Sequence, residues 1–288
     1  LYLIGLGLGD PSDITVKGLR VLRRCKYAYL EGYTSLMSCS KDEMEEIFGR
    51  KILHADRDFV ESRADFILDQ ARNSSVALMV VGSPLSATTH YDIVLQARKL
   101  GISVFIIPNA SIMDAVGVCG LQLYNFGQTV TIPEFEGNWR PTSFMDKIEA
   151  NRKNGLHTLC LLDIKAKEHM EKPQFPNENE FSSLSSNPPP RCLTVSSAAR
   201  QILSVAGKKN QLLSKREKRP DTIAVGLARV GSANMSIVVD TLAALRDDVD
   251  MGPPLHCLII PAPDQYLHFL EKDALAMFRN QPLPVDRR

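Results

Sequence analysis

Apolar positions in the first hundred residues switch between two periods. Short apolar runs at Leu1–Ile4, Tyr27–Leu30, Ile52–His54, Val76–Val81 and Val104–Ile107 read as strands. Between them, apolar residues recur at helical spacing near Thr15–Arg24, Lys41–Phe48, Val60–Ala71 and Tyr91–Leu100. Gly49 and Gly101 stand just beyond two of these stretches, where left-handed C-terminal stops belong. Repeated strand–helix units predict a largely parallel sheet covered by helices on both faces.

A second set follows. Thr129–Ile132, Thr158–Leu162, Thr222–Leu227 and Leu255–Ile260 read as strands, and Ser143–Asn154, Ser196–Ala206, Asn234–Leu245 and Gln265–Met277 as helices. The expected fold class is α/β, with two α/β domains whose sheets are mixed and largely parallel. The expected division is 1–123 and 124–288, each half being large enough for its own core. Glu171–Pro190, rich in Pro, Ser and Asn, reads as an exposed flexible loop. Lys208–Arg219 is dense in cations and is either a solvated loop or an anion-binding patch. Gln281–Arg288 reads as a frayed tail.

The chemistry begins at the first strand exit, Gly5-Leu6-Gly7-Leu8-Gly9-Asp10. Alternating glycines let the backbone turn beside a ligand that a Cβ atom would push away. Strand, glycine loop and helix is the layout in which α/β proteins hold nucleotide-like ligands. Aspartate replaces the third glycine of the dinucleotide fingerprint, and no Walker lysine follows. The loop therefore points to a nucleoside-type cofactor that is neither a dinucleotide nor a triphosphate, or to a glycine-rich turn that binds nothing.

Two more loops leave strands of the same set. Gly82–His90 is small and hydroxylated, offering donors without charge, or is an ordinary turn. His90 is either a base or a structural residue. Asn109-Ala110-Ser111-Ile112-Met113 places Asn109 or Ser111 as a helix cap. Carboxyl ends of parallel strands share one rim, so these three loops should converge. In the second half, Leu162, Val230 and His256 flank strand ends, with His256 equally readable as a satisfied core histidine.

Composition narrows the class. The 288 residues carry 34 Lys+Arg against 33 Asp+Glu, so no global field draws the chain to nucleic acid or membrane. No apolar run reaches the roughly 18 residues of a spanning helix. The six cysteines form no C-x-x-C pair, and Cys119, Cys160 and Cys257 read as core residues. Metal ligation is not expected, and reduced thiols fit the cytosol. No catalytic triad, nucleophile elbow, carboxylate pair or H-E-x-x-H appears. A donor such as S-adenosylmethionine already carries an activated leaving group, so its enzyme mainly aligns nucleophile and methyl.

Leu3–Asp10 (LIGLGLGD), Gly82–His90 ending ATTH, Asn109–Met113 (NASIM), Gly120–Gly127 (GLQLYNFG), His157–Lys165 (HTLCLLDIK), Gly226–Gly231 (GLARVG) and Pro254–His256 (PLH) together resemble the diphthine synthase family. The resemblance covers nearly the whole chain except Glu171–Pro190 and the tail; the glycine loop alone marks the wider tetrapyrrole-methylase-like superfamily. It implies two α/β domains with S-adenosylmethionine in the cleft between them, a cytoplasmic homodimer, and translation elongation factor 2 as substrate. The reaction implied is trimethylation of a 3-amino-3-carboxypropyl-histidine and, in the eukaryotic branch, esterification of its carboxylate. Cofactor contacts carried over fall on Leu8, Ser111, Ile112, Leu162, Val230 and His256, with Ser83 and Ser86 standing where the family usually has Asp and Gly. Ser83 forgoes a charge-assisted bond of roughly 1.5–3 kcal/mol for a neutral one of about 1. No catalytic acid or base is assigned. The competing readings are a tetrapyrrole or ribosomal RNA methyltransferase of the same fold, and an inactive binding partner of the translation machinery.

Overall fold

A computed structural model describes residues 1–33, 39–165, 191–209 and 222–279, which form two compact units. Leu1–Ile112 with Ile164–Arg191 make the first, and Met113–Asp163 with Cys192–Arg288 the second. The expected loop Glu171–Pro190, most of Lys208–Arg219 and the tail Gln281–Arg288 lie outside the described residues.

The first unit alternates β1 (Tyr2–Gly5), α1 (Val16–Arg24), β2 (Tyr27–Glu31), α2 (Lys41–Phe48), β3 (Leu53–Ala55), α3 (Ala64–Asn73), β4 (Val76–Val80), α4 (Tyr91–Lys99) and β5 (Phe105–Ile107). Its sheet has the order β3-β2-β4-β1-β5, and every pairing is parallel. Successive residues Leu3 and Ile4 are fully buried in different core clusters. The sheet is therefore covered on both faces, as the continuous apolar runs require. Thr15 caps α1 by accepting the Gly18 amide, and Ser40 with Glu43 closes a capping box on α2.

One helix departs from expectation. The Val60–Ala71 stretch is a wide turn at Asp58–Ser62 followed by α3. The Arg63 amide bonds Asp58 O five residues back at 3.0 Å, and Arg63 itself leaves helical geometry at φ −121.

The second unit holds α5 (Ile112–Ala115, from its second residue), β6 (Val130–Ile132), α6 (Ser143–Lys153) and β7 (Thr158–Leu162). Two-residue strands β8 (Ile164–Lys165) and β9 (Arg191–Cys192) flank the undescribed segment. Then come α7 (Val195–Lys209), β10 (Ile223–Ala228), β11 (Ser236–Thr241), α8 (Leu242–Asp247), β12 (His256–Ile260) and α9 (Phe269–Met277). The order β11-β10-β12-β7-β6 is mixed: β6 and β7 run parallel, and the other three pairs are antiparallel. The two-part α/β architecture thus holds, with the parallel character concentrated in the first sheet.

The helix expected over Asn234–Leu245 is instead β11 followed by α8. Ile237-Val238-Val239 is β-branched and pairs along the whole of β10, and Thr241 then caps α8 by accepting the Ala244 amide. Cys119, Cys160 and Cys257 are buried, as expected. Burial pushes the Cys119 thiol up to about 11 and Cys257 to about 12, and raises Cys160 as well, so all three stay protonated. Among the described residues no helix is long and apolar enough to cross a membrane.

Candidate functional site

In the first unit the three loops do converge. The glycine loop and the exit of β4 are joined by a reciprocal pair: Gly7 N–H donates to Gly82 O at 3.2 Å and Gly82 N–H to Gly7 O at 2.7 Å. Gly7 and Gly82 hold φ of 82 and 79, a region that strongly favours glycine. The loop after β5 closes on the same point. A Cβ on Gly5 would lie 2.7 Å from Gly82 O and 2.8 Å from Asn109 Cβ.

Two side chains hold this arrangement, and neither acts as a plain helix cap. Asp13 Oδ2 accepts the amides of Gly9 at 2.7 Å and Leu8 at 3.3 Å, so a carboxylate faces the glycine loop from behind. Asn109, expected as a cap or a ligand contact, instead ties loops together. Its Nδ2 donates to Gly5 O at 3.1 Å and Asp13 O at 2.9 Å, while its Oδ1 accepts the Ala110 amide. An acidic residue four positions beyond the last loop glycine was the visible trace of Asp13's role; nothing local signals that of Asn109.

The predicted positions Leu8, Ser83, Ser86, Ser111 and Ile112 all lie in this unit, on these three loops. Leu8 Cδ2 and Ala110 O flank Gly82, at 3.7 and 3.8 Å from where its Cβ would stand. Ser83 and Ser86 form one turn, the Ser86 amide donating to Ser83 O at 3.1 Å. Ser111 is buried, and Ser83, Ser86 and Ile112 are half-buried. The rim thus presents small side chains, hydroxyls and backbone, a surface suited to a nucleoside-like group.

Leu162, Val230 and His256 lie in the second unit, at one end of its sheet. Leu161 pairs with Cys257 and Ala228 with His256, which sets the end of β7, the exit of β10 and the start of β12 side by side. Arg229, at φ 52, organises the exit. Its Nη1 donates to Met251 O at 2.8 Å and Pro253 O at 2.5 Å, and its Nε to Asn234 O at 3.0 Å. Sequence reading missed this residue, because its partners lie up to twenty-four positions away.

His256 is buried and held through both ring nitrogens. Its Nε2–H donates to Pro253 O at 3.1 Å, and its Nδ1 accepts the Val195 amide at 3.3 Å. Burial lowers its pKa, against the Pro253 bond that raises it. A neutral ring with both nitrogens engaged has no proton to exchange. Val195 can come so close because Gly226 has no side chain: a Cβ there would lie 3.1 Å from Val195 Cγ1.

A cavity of about 460 Å³ in the second unit lies at the other end of this sheet, among Ile223, Pro261, Ala262 and Arg279. The residues that begin β10 and follow β12 line it, so it is separate from Leu162, Val230 and His256.

Comparison with known proteins agrees with this architecture. Residues 1–246 match the family model of tetrapyrrole (corrin/porphyrin) methylases. The diphthine methyl ester synthase of Homo sapiens is 50% identical over 280 residues, covering 96% of this chain and 94% of that protein. The diphthine methyl ester synthase of Schizosaccharomyces pombe is 45% identical over 277 residues, covering 96% and 93%. A solved diphthine synthase superposes with a TM-score of 0.78 at 33% identity, covering 97% of this chain and 95% of that one.

Proposed function

Because the chain belongs to the tetrapyrrole methylase family and, within it, to the diphthine methyl ester synthases, we propose that it transfers methyl groups from S-adenosylmethionine to a 3-amino-3-carboxypropyl-histidine on translation elongation factor 2. The acceptors are the amino group, taken to the trimethylammonium, and the carboxylate, taken to its methyl ester. The observation that carries this reading is the closure of three loops on Gly82 at the carboxyl rim of a parallel sheet.

The residues present fit such a cofactor. The rim brings Ser83, Ser86 and Ser111 together with the glycine-loop backbone. Leu8, Ser83, Ser86, Ser111 and Ile112 of the first unit, and Leu162, Val230 and His256 of the second, are proposed as its contacts. The cofactor, when bound, supplies an activated methyl on a positively charged sulfur. The chain's part is to orient and to exclude water. A carboxylate acceptor is already ionised at neutral pH, and an amine need only lose a proton to solvent. His256, with both ring nitrogens committed, is consistent with that chemistry.

The test is transfer of labelled methyl to elongation factor 2 bearing the unmethylated side chain. Labelling of that protein with mass increments matching methyl groups supports the reading. Labelling of a porphyrinogen or of ribosomal RNA instead would replace the substrate, and cofactor binding without any transfer would favour an inactive binding partner. The same reading includes a cytoplasmic homodimer, which light scattering and cell fractionation address.

A further inference from the structure

The turn that carries Ser83 and Ser86 is held from behind. Pro84 O accepts two side-chain donors: Thr88 Oγ1 at 2.6 Å and His90 Nδ1 at 3.2 Å. A carbonyl can only accept, so His90 donates through Nδ1 and turns Nε2 the other way. Tyr33 faces that nitrogen with its phenol, at a long 3.5 Å, and packs edge-on with ring centroids 6.0 Å apart. Both rings are almost wholly buried, His90 at 1% and Tyr33 at 2% exposure.

Two features show that something must hold this turn. Ala87, between the Ser83–Ser86 turn and the two donors, sits at φ 58, in the left-handed region that disfavours a side chain. Left to itself such a residue relaxes. Beside His90 lies a cavity of about 230 Å³, bordered by Val60, Glu61 and Ile93 as well as the two rings. On that side the imidazole is held by its hydrogen bonds.

We propose that His90 is a positioning residue: with Thr88 it clamps the Pro84 carbonyl and so sets the Gly82–Ser86 turn against the glycine loop. The inference rests on the reading of that turn as a cofactor contact. His90 touches no reacting atom in this role and moves no proton. Protonation of the phenol is secure, since burial followed by the nearby Glu31 and Glu61 carboxylates raises the Tyr33 pKa.

The experiment compares His90→Ala with His90→Asn, whose amide nitrogen can stand where Nδ1 stands. Affinity for S-adenosylhomocysteine is measured by calorimetry, and melting temperature in parallel. His90→Ala is expected to weaken binding about tenfold, the effect of roughly one lost hydrogen bond, with His90→Asn retaining most of the affinity. If His90 merely fills space, both variants lose the same melting temperature and share one affinity, and that result overturns the proposal. Unchanged affinity in His90→Ala overturns it as well. Should the unsubstituted protein bind no cofactor, the cofactor reading fails separately. Amide exchange at residues 82–87 then decides the clamp: it stands if exchange is faster in His90→Ala than in His90→Asn, and falls if the two are equal.

Discussion

His157 Nε2–H donates to Glu271 Oε1 across 3.0 Å inside the second unit, and neither residue is more than 1% exposed. The other nitrogen, Nδ1, accepts the Ala262 amide at 3.0 Å, so the imidazole is neutral with both positions used. Glu271 also accepts the amides of Gln122 at 2.9 Å and His268 at 2.9 Å, the latter closing the capping box of α9. The pair therefore fastens α9, the stretch after β12 and the segment before β6 to one point.

This pair predicts acid sensitivity. Burial lowers the His157 pKa, against Glu271, so below its ordinary 6.5 the unfolded chain takes up a proton that the folded one refuses. Burial raises that of Glu271, but the Gln122 and His268 amides and His157 outweigh it, so the net direction is down from 4.5. Both groups thus contribute stability that is complete above pH 6.5 and declines as pH falls. Urea midpoints measured across that range should drop in the native protein. Glu271→Ala should cost about 3 kcal/mol, the usual consequence of orphaning a buried partner; a loss under 1 would contradict the assigned bonding.

Gly5→Ala tests loop convergence against simple backbone preference. Its Cβ would stand 2.7 Å from Gly82 O, a distance that forces backbone apart. Gly101→Ala is the control: it sits at φ 73 with nothing within 4 Å of a new Cβ. The control should lose about 1 kcal/mol and keep its cofactor affinity. Gly5→Ala should lose cofactor binding by at least about tenfold in calorimetry, which equals 1.4 kcal/mol.

Arg229→Lys should show that the guanidinium fork matters more than its charge. An ammonium cannot reach Asn234 O, Met251 O and Pro253 O together from one planar group. The expected outcome is a stability loss of about 1–2 kcal/mol by thermal melting, with KM for the cofactor raised more than kcat is lowered. Equal affinity in the variant would separate Arg229 from the proposed Val230 contact.

Ser83→Asp with Ser86→Gly restores the residues usual in the resembled family. If the native turn already binds the cofactor through backbone, affinity should stay within about threefold, less than 1 kcal/mol. A sharp rise in affinity would mean that the native turn is defective, and would favour the inactive binding partner.

The apolar runs of the first unit were legible because its central strands β1, β2 and β4 are buried on both faces, so strand positions differ little from their expected bounds. Asn234–Leu245 was not: Ile237, Val238 and Val239 fit a helix face or a strand, and only pairing along β10 decides between them. The eight site positions followed from resemblance, and the spacing of Asp13 from the loop glycines left a trace, whereas the roles of Asn109 and Arg229 emerged from hydrogen bonds that no spacing rule encodes.

By itself the chain determined its strand–helix alternation, its glycine turn and its kinship, since these depend on neighbours a few residues apart. Tertiary structure decided the antiparallel pairing of the second sheet, the roles of Asn109, Arg229 and Glu271, and the neutral, committed state of His256. Those depend on which carbonyls and amides are brought within 3 Å or so by folding, as when Asn109 meets Gly5 across one hundred and four positions. Local sequence carries no record of such meetings, because a buried polar group is satisfied by whichever partner the packing delivers.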